Sequence, residues 1–326
     1  TYAPPESGFR ADLNYFDADI PLALVRHASW LSSSGSTGPP PVAPAASDAF
    51  DQIIALVRTR TPHDFTHYKQ GTLRRRIDRR MAMASDPISG IESYLAILQE
   101  DPGELSLLAK DLLIHVSSFF RDPVTFGYLA DEVVPGIVAA TKGERPVRAW
   151  IAGCSTGEEA YSVAMLFHEA MEITKGGARL QIFASDIDAD SVAFAREGFY
   201  PRSIESDVSP DRLWRFFTRE DGGYRVSQDL RSSVIFTVQD VLTDPPFSNI
   251  DLVSCRNLMI YLEPAAQAGL ISIFHFALRE TGLLLLGSAE TVAESDGRFE
   301  VISKAQRVFR RAGRGRKGEP AFPAAP

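Results

Sequence analysis

The chain has 326 residues, 44% of them hydrophobic, and a formal net charge of −8, which is enough length for two compact domains with a sizeable core. Its longest apolar runs, such as GLLLLG, fall far short of the roughly 20 residues that cross a bilayer, so no direct membrane insertion is expected. The acidic balance disfavours generic nucleic-acid binding, and the start at Thr1, without a signal-peptide pattern, reads as a cut within a longer cytoplasmic protein.

Residues 1–47 read as an N-terminal segment and flexible linker. The stretch DADIPLALVRHASWL resembles a short terminal helix, and SSSGSTGPPPVAPAAS (32–47) carries neither charge nor an apolar period. From Asp48, the residues Phe50, Ile53, Ile54 and Val57 recur at three- and four-residue steps. Helices are expected over 48–59, 65–83, 88–99 and 102–115, with Pro62, Pro87 and Pro102 at starts or breaks, giving a small all-helical domain over 48–116. Between Arg58 and Met83 this domain carries eight basic residues, among them Arg74, Arg75, Arg76, Arg79 and Arg80, against Asp64 and Asp78. Such a run is commonly a solvated face; the sharper reading is a basic helix that docks on an acidic partner. His63 and His67 stand four apart with no further ligand nearby, so no metal is expected.

From Arg145 the texture changes. VRAWIAG, LQIFASD, VIFTVQD, IDLVSC and GLLLLGS are β-rich runs, with helical segments after the first, second and fourth. This alternation predicts an α/β, Rossmann-like domain whose mainly parallel sheet is covered on both faces, and RFEVIS with RVFRRAG predicts an antiparallel C-terminal hairpin. The domain is expected over 117–310, with a small insert near 198–231 whose Trp214, Phe216 and Phe217 serve either docking or a local core, and a disordered tail over 311–326. Cys154 and Cys255 end neighbouring runs; buried inert thiols are the plainer reading and a redox pair the sharper one.

The stretch WIAGCSTGEEAYSVAM carries the chemistry. Gly153-Cys154-Ser155-Thr156-Gly157 fits the G-x-S-x-G elbow of a serine hydrolase, but that fold needs a late loop histidine. His168 and His275, the two histidines after Ser155, both fall in helical patterns, and a helix cap is the more ordinary role for Ser155. The alternative is a glycine loop under a nucleotide-like ligand. Glu158 and Glu159 follow it, and no P-loop lysine does, so a phosphate would be repelled. S-adenosylmethionine suits the site, being nucleoside-like, phosphate-free and cationic. Asp186 then stands at the end of the second run, where a carboxylate accepts hydrogen bonds from both ribose hydroxyls.

With LLIHVSSFFRDP, AWIAGCSTGEEAYSVAM, ASDIDADSVAFAREGFY, VQDVLTDPPF, DLVSCRNLMIYL and GLLLLGSAE in this order, the chain resembles the CheR-type chemoreceptor glutamate O-methyltransferases over about residues 48–310. The N-terminal segment and linker also resemble the junction to an upstream CheB-type methylesterase domain. The resemblance implies S-adenosylmethionine as cofactor, S-adenosylhomocysteine as product, and glutamates on the cytoplasmic helices of a chemoreceptor or related signalling protein as substrate. It implies His115, Ser117 and Arg121 lining the cofactor site, Gly153 in the cofactor loop, Glu159 at the amino-acid end, Asp186 at the ribose, Asp240 and Val241 by the adenine, and Asn257 and Leu258 completing the pocket. His115 stands where Asn is common, Ser117 where Thr is usual, and Asp240 where Asn is common.

A glutamate carboxylate is ionised at pH 7 and needs no general base, so the enzyme's task is placement. Arg121 is expected to position the substrate carboxylate and Tyr261 to orient it. A non-catalytic S-adenosylmethionine-binding scaffold and a methyltransferase for another carboxylate are the alternatives; the basic helix favours a macromolecular acidic partner.

Overall fold

The computed structural model describes residues 45–84, 88–141, 143, 145–174, 179–292 and 297–313. The N-terminal segment, most of the linker and the tail beyond Gly313 lie outside the described residues, as does the junction with an upstream domain.

Four helices come first: α1 (Ala45–Arg60), α2 (Gln70–Met83), α3 (Ile91–Glu100) and α4 (Pro102–Leu112). Their apolar stripes meet in one core of Phe50, Ile53, Val57, Leu73, Ile77, Tyr94, Leu98 and Leu108. The Asp101 carboxylate accepts from the N–H groups of Gly103 and Glu104 and Pro102 fills the first helical position, which is why α4 starts there. Two expected helices are too long. Residues 65–69 form a turn, because Lys69 N–H donates to the Tyr261 carbonyl at 2.8 Å and Tyr68 bridges Leu262, so their backbone groups serve the second domain instead of a helix. The last helix stops at Leu112, and 113–117 line the cleft described below.

Next come α5 (Pro123–Tyr128), a π-turn at Leu129–Val133 and α6 (Val134–Thr141). The wide turn precedes Pro135, which has no N–H for an α-helical bond, and Val134 N–H reaches back to the Leu129 carbonyl. The sheet domain then runs β1 (Val147–Ala152), α7 (Glu158–Thr174), β2 (Leu180–Asp186), α8 (Ala189–Glu197), β3 (Phe199–Pro201), α9 (Pro210–Phe216), β4 (Phe217–Glu220), β5 (Gly223–Val226), α10 (Gln228–Ser232), β6 (Val234–Val238), β7 (Ile250–Cys255), α11 (Pro264–Ala277), β8 (Leu278–Leu286), β9 (Phe299–Ser303) and β10 (Val308–Arg311). Among the described residues no helix is long and apolar enough to cross a membrane.

The main sheet has the order β6-β2-β1-β7-β8-β10-β9, parallel from β6 to β8 and antiparallel in the C-terminal hairpin. Side chains alternate between its faces: Val147, Ala149 and Ile151 join the core on one side, Trp150 and Ala152 the core on the other. Cys154 and Cys255 are buried in these two separate cores, and burial pushes both thiols up, so they are inert core residues rather than a redox pair. The insert is a three-stranded sheet, β3-β5-β4, in which Phe216 and Phe217 are core and Trp214 is 88% exposed. Strand β10 runs to Arg311, so the hairpin takes in the first residue of the stretch expected as a tail. The chain winds from β1 through β2 to β6 on one side and from β7 to β8 on the other. The crevice therefore opens beyond the ends of β1 and β7, where the order reverses.

Candidate functional site

The loop after β1 crosses that crevice. Gly153, Ser155 and Gly157 have φ of 75, 47 and 95°, in the left-handed region. A Cβ on Gly157 would lie 2.8 Å from Ala195 Cβ, so only glycine fits there. Gly153 and Cys154 donate to the Ser185 carbonyl at 2.8 and 3.0 Å, Ser155 N–H to Asp186 Oδ2 at 2.7 Å, and Gly157 N–H to the Cys154 carbonyl at 3.0 Å. Four of the loop's five N–H groups are thus engaged within the fold, which fixes the loop's path across the crevice. Ser155 is not a helix cap either, since it sits two residues before the last loop residue in the left-handed conformation. Its hydroxyl lies 3.4 Å from Nδ1 of His115, an upstream histidine, and that nitrogen also meets Ser191 Oγ at 3.2 Å. His115 Nε2 lies 3.3 Å from Asp188, which caps α8. His115 thus ties the helical domain to the loops after β1 and β2.

Asp186 ends β2 with Oδ2 accepting from Ser155 and Oδ1 from Asp188 N–H at 3.0 Å, leaving one further lone pair on each oxygen. Burial pushes its carboxyl up from the usual range, against the pull of those two backbone donors. Glu159, in the first turn of α7, accepts from Ser254 Oγ at 2.6 Å and from Arg256 Nη1 at 3.0 Å. Its neighbour Glu158 is turned away to Thr156 Oγ1 at 2.7 Å and to Ser117; burial pushes Glu158 up.

The 256–261 loop forms the opposite wall. Asn257 has φ 61°, and its N–H donates to Glu290 Oε2 at 3.0 Å, as do Gly287 N–H at 2.7 Å and, to the other oxygen, Ile260 N–H at 3.3 Å. A Cβ at Gly287 would lie 2.9 Å from Asn257 N, so this strand end must be glycine. Burial raises the Glu290 carboxyl and the donated N–H groups counter it.

One cleft is lined by His115, Ser117, Arg121, Gly153, Glu159, Asp186, Asn257, Leu258 and Tyr261. Asp240 and Val241 line an adjoining slot that shares Gly153, Asp186 and Leu258 and adds Tyr68, Gln239, Leu242 and Leu262. Three lining residues, and Glu290 behind the 256–261 wall, escaped the sequence reading or acquire their meaning only here. Tyr68 was hidden in an over-long helix, Gln239 carries no charge to notice, and Arg256 and Glu290 stood inside CRNLMIYL and GSAE without an assigned role.

The residues fit S-adenosylmethionine. The slot is mostly apolar, with Asp186, Asp240 and Gln239 among its polar members; Gln239 Nε2 donates to the Pro245 carbonyl while Oε1, buried, has no donor, and an exocyclic amine would supply one. Asp186 keeps acceptors for two hydroxyls and Glu159 for an ammonium group. In the cleft wall the Arg256 Nε–H is likewise buried without an acceptor.

Residues 115–308 match a family profile described as CheR methyltransferase, SAM binding domain, and residues 48–113 match CheR methyltransferase, all-alpha domain. The chain belongs to the CheR methyltransferase family. Its cofactor is S-adenosylmethionine, and it is a protein methyltransferase of that family. The chain is 38% identical over 263 residues to an uncharacterized 104.1 kDa protein of Rhodobacter capsulatus, covering 81% of this chain but only 27% of that protein's length. It is 32% identical over 267 residues to the chemotaxis protein methyltransferase of Escherichia coli, covering 78% of this chain and 88% of the relative. The Salmonella typhimurium enzyme of the same name is also 32% identical, with 76% and 85% covered.

In this CheR methyltransferase the basic helix α2 is not uniformly available to a partner. Arg80 forks onto Glu104 at 2.7 and 2.8 Å and reaches Asp111 at 2.6 Å, Arg76 donates to the Asp111 carbonyl at 2.5 Å, and Arg74 lies 4.2 Å over Phe50. Arg75 and Arg79 are exposed. Three of the five arginines expected to dock a substrate thus hold the helical domain together, because helical periodicity turns them toward α1 and α4.

Proposed function

We propose that the protein transfers a methyl group to glutamate side chains of a chemoreceptor-like signalling protein, giving methyl esters and S-adenosylhomocysteine. When bound, S-adenosylmethionine supplies an electrophilic methyl group on a sulfonium. The chain's own residues hold and aim. Asp186 and Glu159 fix the two polar ends of the cofactor, and Tyr68 with Leu258 and Leu262 excludes water from the slot. Arg121 and Tyr261 line the cleft together; Arg121 positions the incoming carboxylate and Tyr261 orients it. No group in the cleft needs to remove a proton, since the nucleophile arrives ionised. Arg121 Nη1 donates to the Val116 carbonyl at 2.7 Å, which leaves the other guanidinium N–H groups for the substrate carboxylate.

The observation that carries this reading is the shared cleft, with carboxylates for a cationic nucleoside ligand on the sheet side and Arg121 in the same lining; Arg75 and Arg79 are exposed on α2 of the preceding helical domain. An acidic helix laid across α2 brings a glutamate to Arg121, and the insert with its exposed Trp214 offers a second contact for the same partner. Incubation with methyl-labelled S-adenosylmethionine and cytoplasmic receptor fragments tests it. Label that is released as methanol by mild base marks a carboxyl ester. Base-stable label would point to another acceptor, and cofactor binding without label on any fragment would favour a scaffold.

A further inference from the structure

The Arg256 side chain is 1% exposed and touches both halves of the site. Nη1 donates to Glu159 Oε2 at 3.0 Å, on the cofactor side. Nη2 donates to the Arg121 carbonyl at 3.1 Å and pairs with the Asp122 carboxylate, on the substrate side. The guanidinium also lies 5.4 Å over the ring of Phe126 in α5. Phe120 and Asp122 have φ of 50 and 65°, a conformation that L residues rarely adopt, on either side of Arg121. A turn of that kind persists only when its surroundings over-determine it, and Arg256 grips both its last carboxylate and its central carbonyl.

One buried cation therefore serves two carboxylates. An ammonium group at Glu159 draws on the same oxygens as Arg256 Nη1, which frees the guanidinium to lean toward Asp122. We propose that Arg256 is a positioning residue that couples occupancy of the cofactor pocket to ordering of the Phe120–Asp122 turn, and so to the aim of Arg121. This rests on Glu159 as the ligand of the cofactor's amino-acid end. It makes cofactor binding precede productive capture of the substrate carboxylate.

The test needs no substrate. Hydrogen exchange of the full chain is followed with and without S-adenosylhomocysteine, which carries the same ammonium group, alongside calorimetry. In the wild type the ligand is expected to slow exchange of amides in 119–126 by about fivefold or more. Asp122→Asn cuts the turn-side pairing; S-adenosylhomocysteine affinity is expected to stay within about threefold while the protection at 119–126 disappears and that of β1 is unchanged. Arg256→Lys, which cannot bridge the same partners, is expected to lose the protection and some affinity. Persisting protection in Asp122→Asn, no ligand effect on the turn in a wild type that binds, or loss of protection in β1 together with the turn would each overturn the coupling while leaving the cofactor site intact. Absence of binding heat in the wild type would overturn both.

Discussion

On the sheet side of the cleft the carboxylates are held before any ligand arrives: Asp186 by two backbone N–H groups, Glu159 by Ser254 and Arg256, Glu290 by three N–H groups. On the helical side the groups assigned to substrate are loosely held. Arg121 donates to one carbonyl, and Arg75 stands on the outer face of α2. On the proposed function, the contrast follows from what each half would bind. A small cofactor brings little binding area, so its site must be preorganised, whereas a protein helix supplies its own order and many weak contacts.

That contrast is most sharply tested at Asp186. Asp186→Ala removes both the ribose acceptor and the Ser155 anchor, and S-adenosylhomocysteine affinity is expected to fall by about 100-fold or more in calorimetry. A loss below tenfold would mean that the preorganised half is not where affinity resides. Next comes Arg121→Ala, for which kcat is expected to drop roughly 100-fold with S-adenosylhomocysteine affinity changed by about threefold at most. Equal losses in both would merge the two halves into one.

Charge reversal of Arg75 and Arg79 is expected to raise KM for a receptor fragment about tenfold, less so at high salt, without changing cofactor affinity. An unchanged KM at low salt would leave the outer face of α2 as solvated surface only. The inward face is read through stability instead of binding. Glu104 is held below the ordinary carboxylate range chiefly by the Arg80 fork, with Tyr94 OH adding a bond at 2.7 Å. The folded chain therefore binds that proton less readily than the unfolded one, and the stabilisation is complete above the ordinary glutamate pKa of about 4.3 and lost as pH falls through the folded value. Glu104→Gln is expected to cost about 2 kcal/mol at pH 7 in urea titrations, with the gap closing toward pH 3. A gap of equal size at both pH values would show that Arg80 is not paired as described.

Much of the fold was legible because its signals are local. The five parallel runs and the hairpin show in short apolar stretches, and Asp186 shows because a strand end is visible in one. Tyr68, Arg256 and Glu290 carried no such signal. Lys69 Nζ meets the Ile260 carbonyl across 191 residues of sequence, and no periodicity reports that pairing. The over-long helix at 65–83 failed for the same reason, since the His67 carbonyl accepts from Glu263 N–H and Lys69 N–H donates to the Tyr261 carbonyl.

By itself the sequence determined the alternation of strand and helix, the left-handed glycine loop after β1, and the sign of the charges on each side of the cleft, all of which depend on neighbours along the chain. Only the tertiary structure decided which of the α2 arginines face inward, that His115 reaches Ser155 and Asp188, and that Arg256 joins Glu159 to Asp122. Those pairings are set by how two domains and the reversed strand order bring distant segments together, and buried charges then take whichever partners that packing puts in reach.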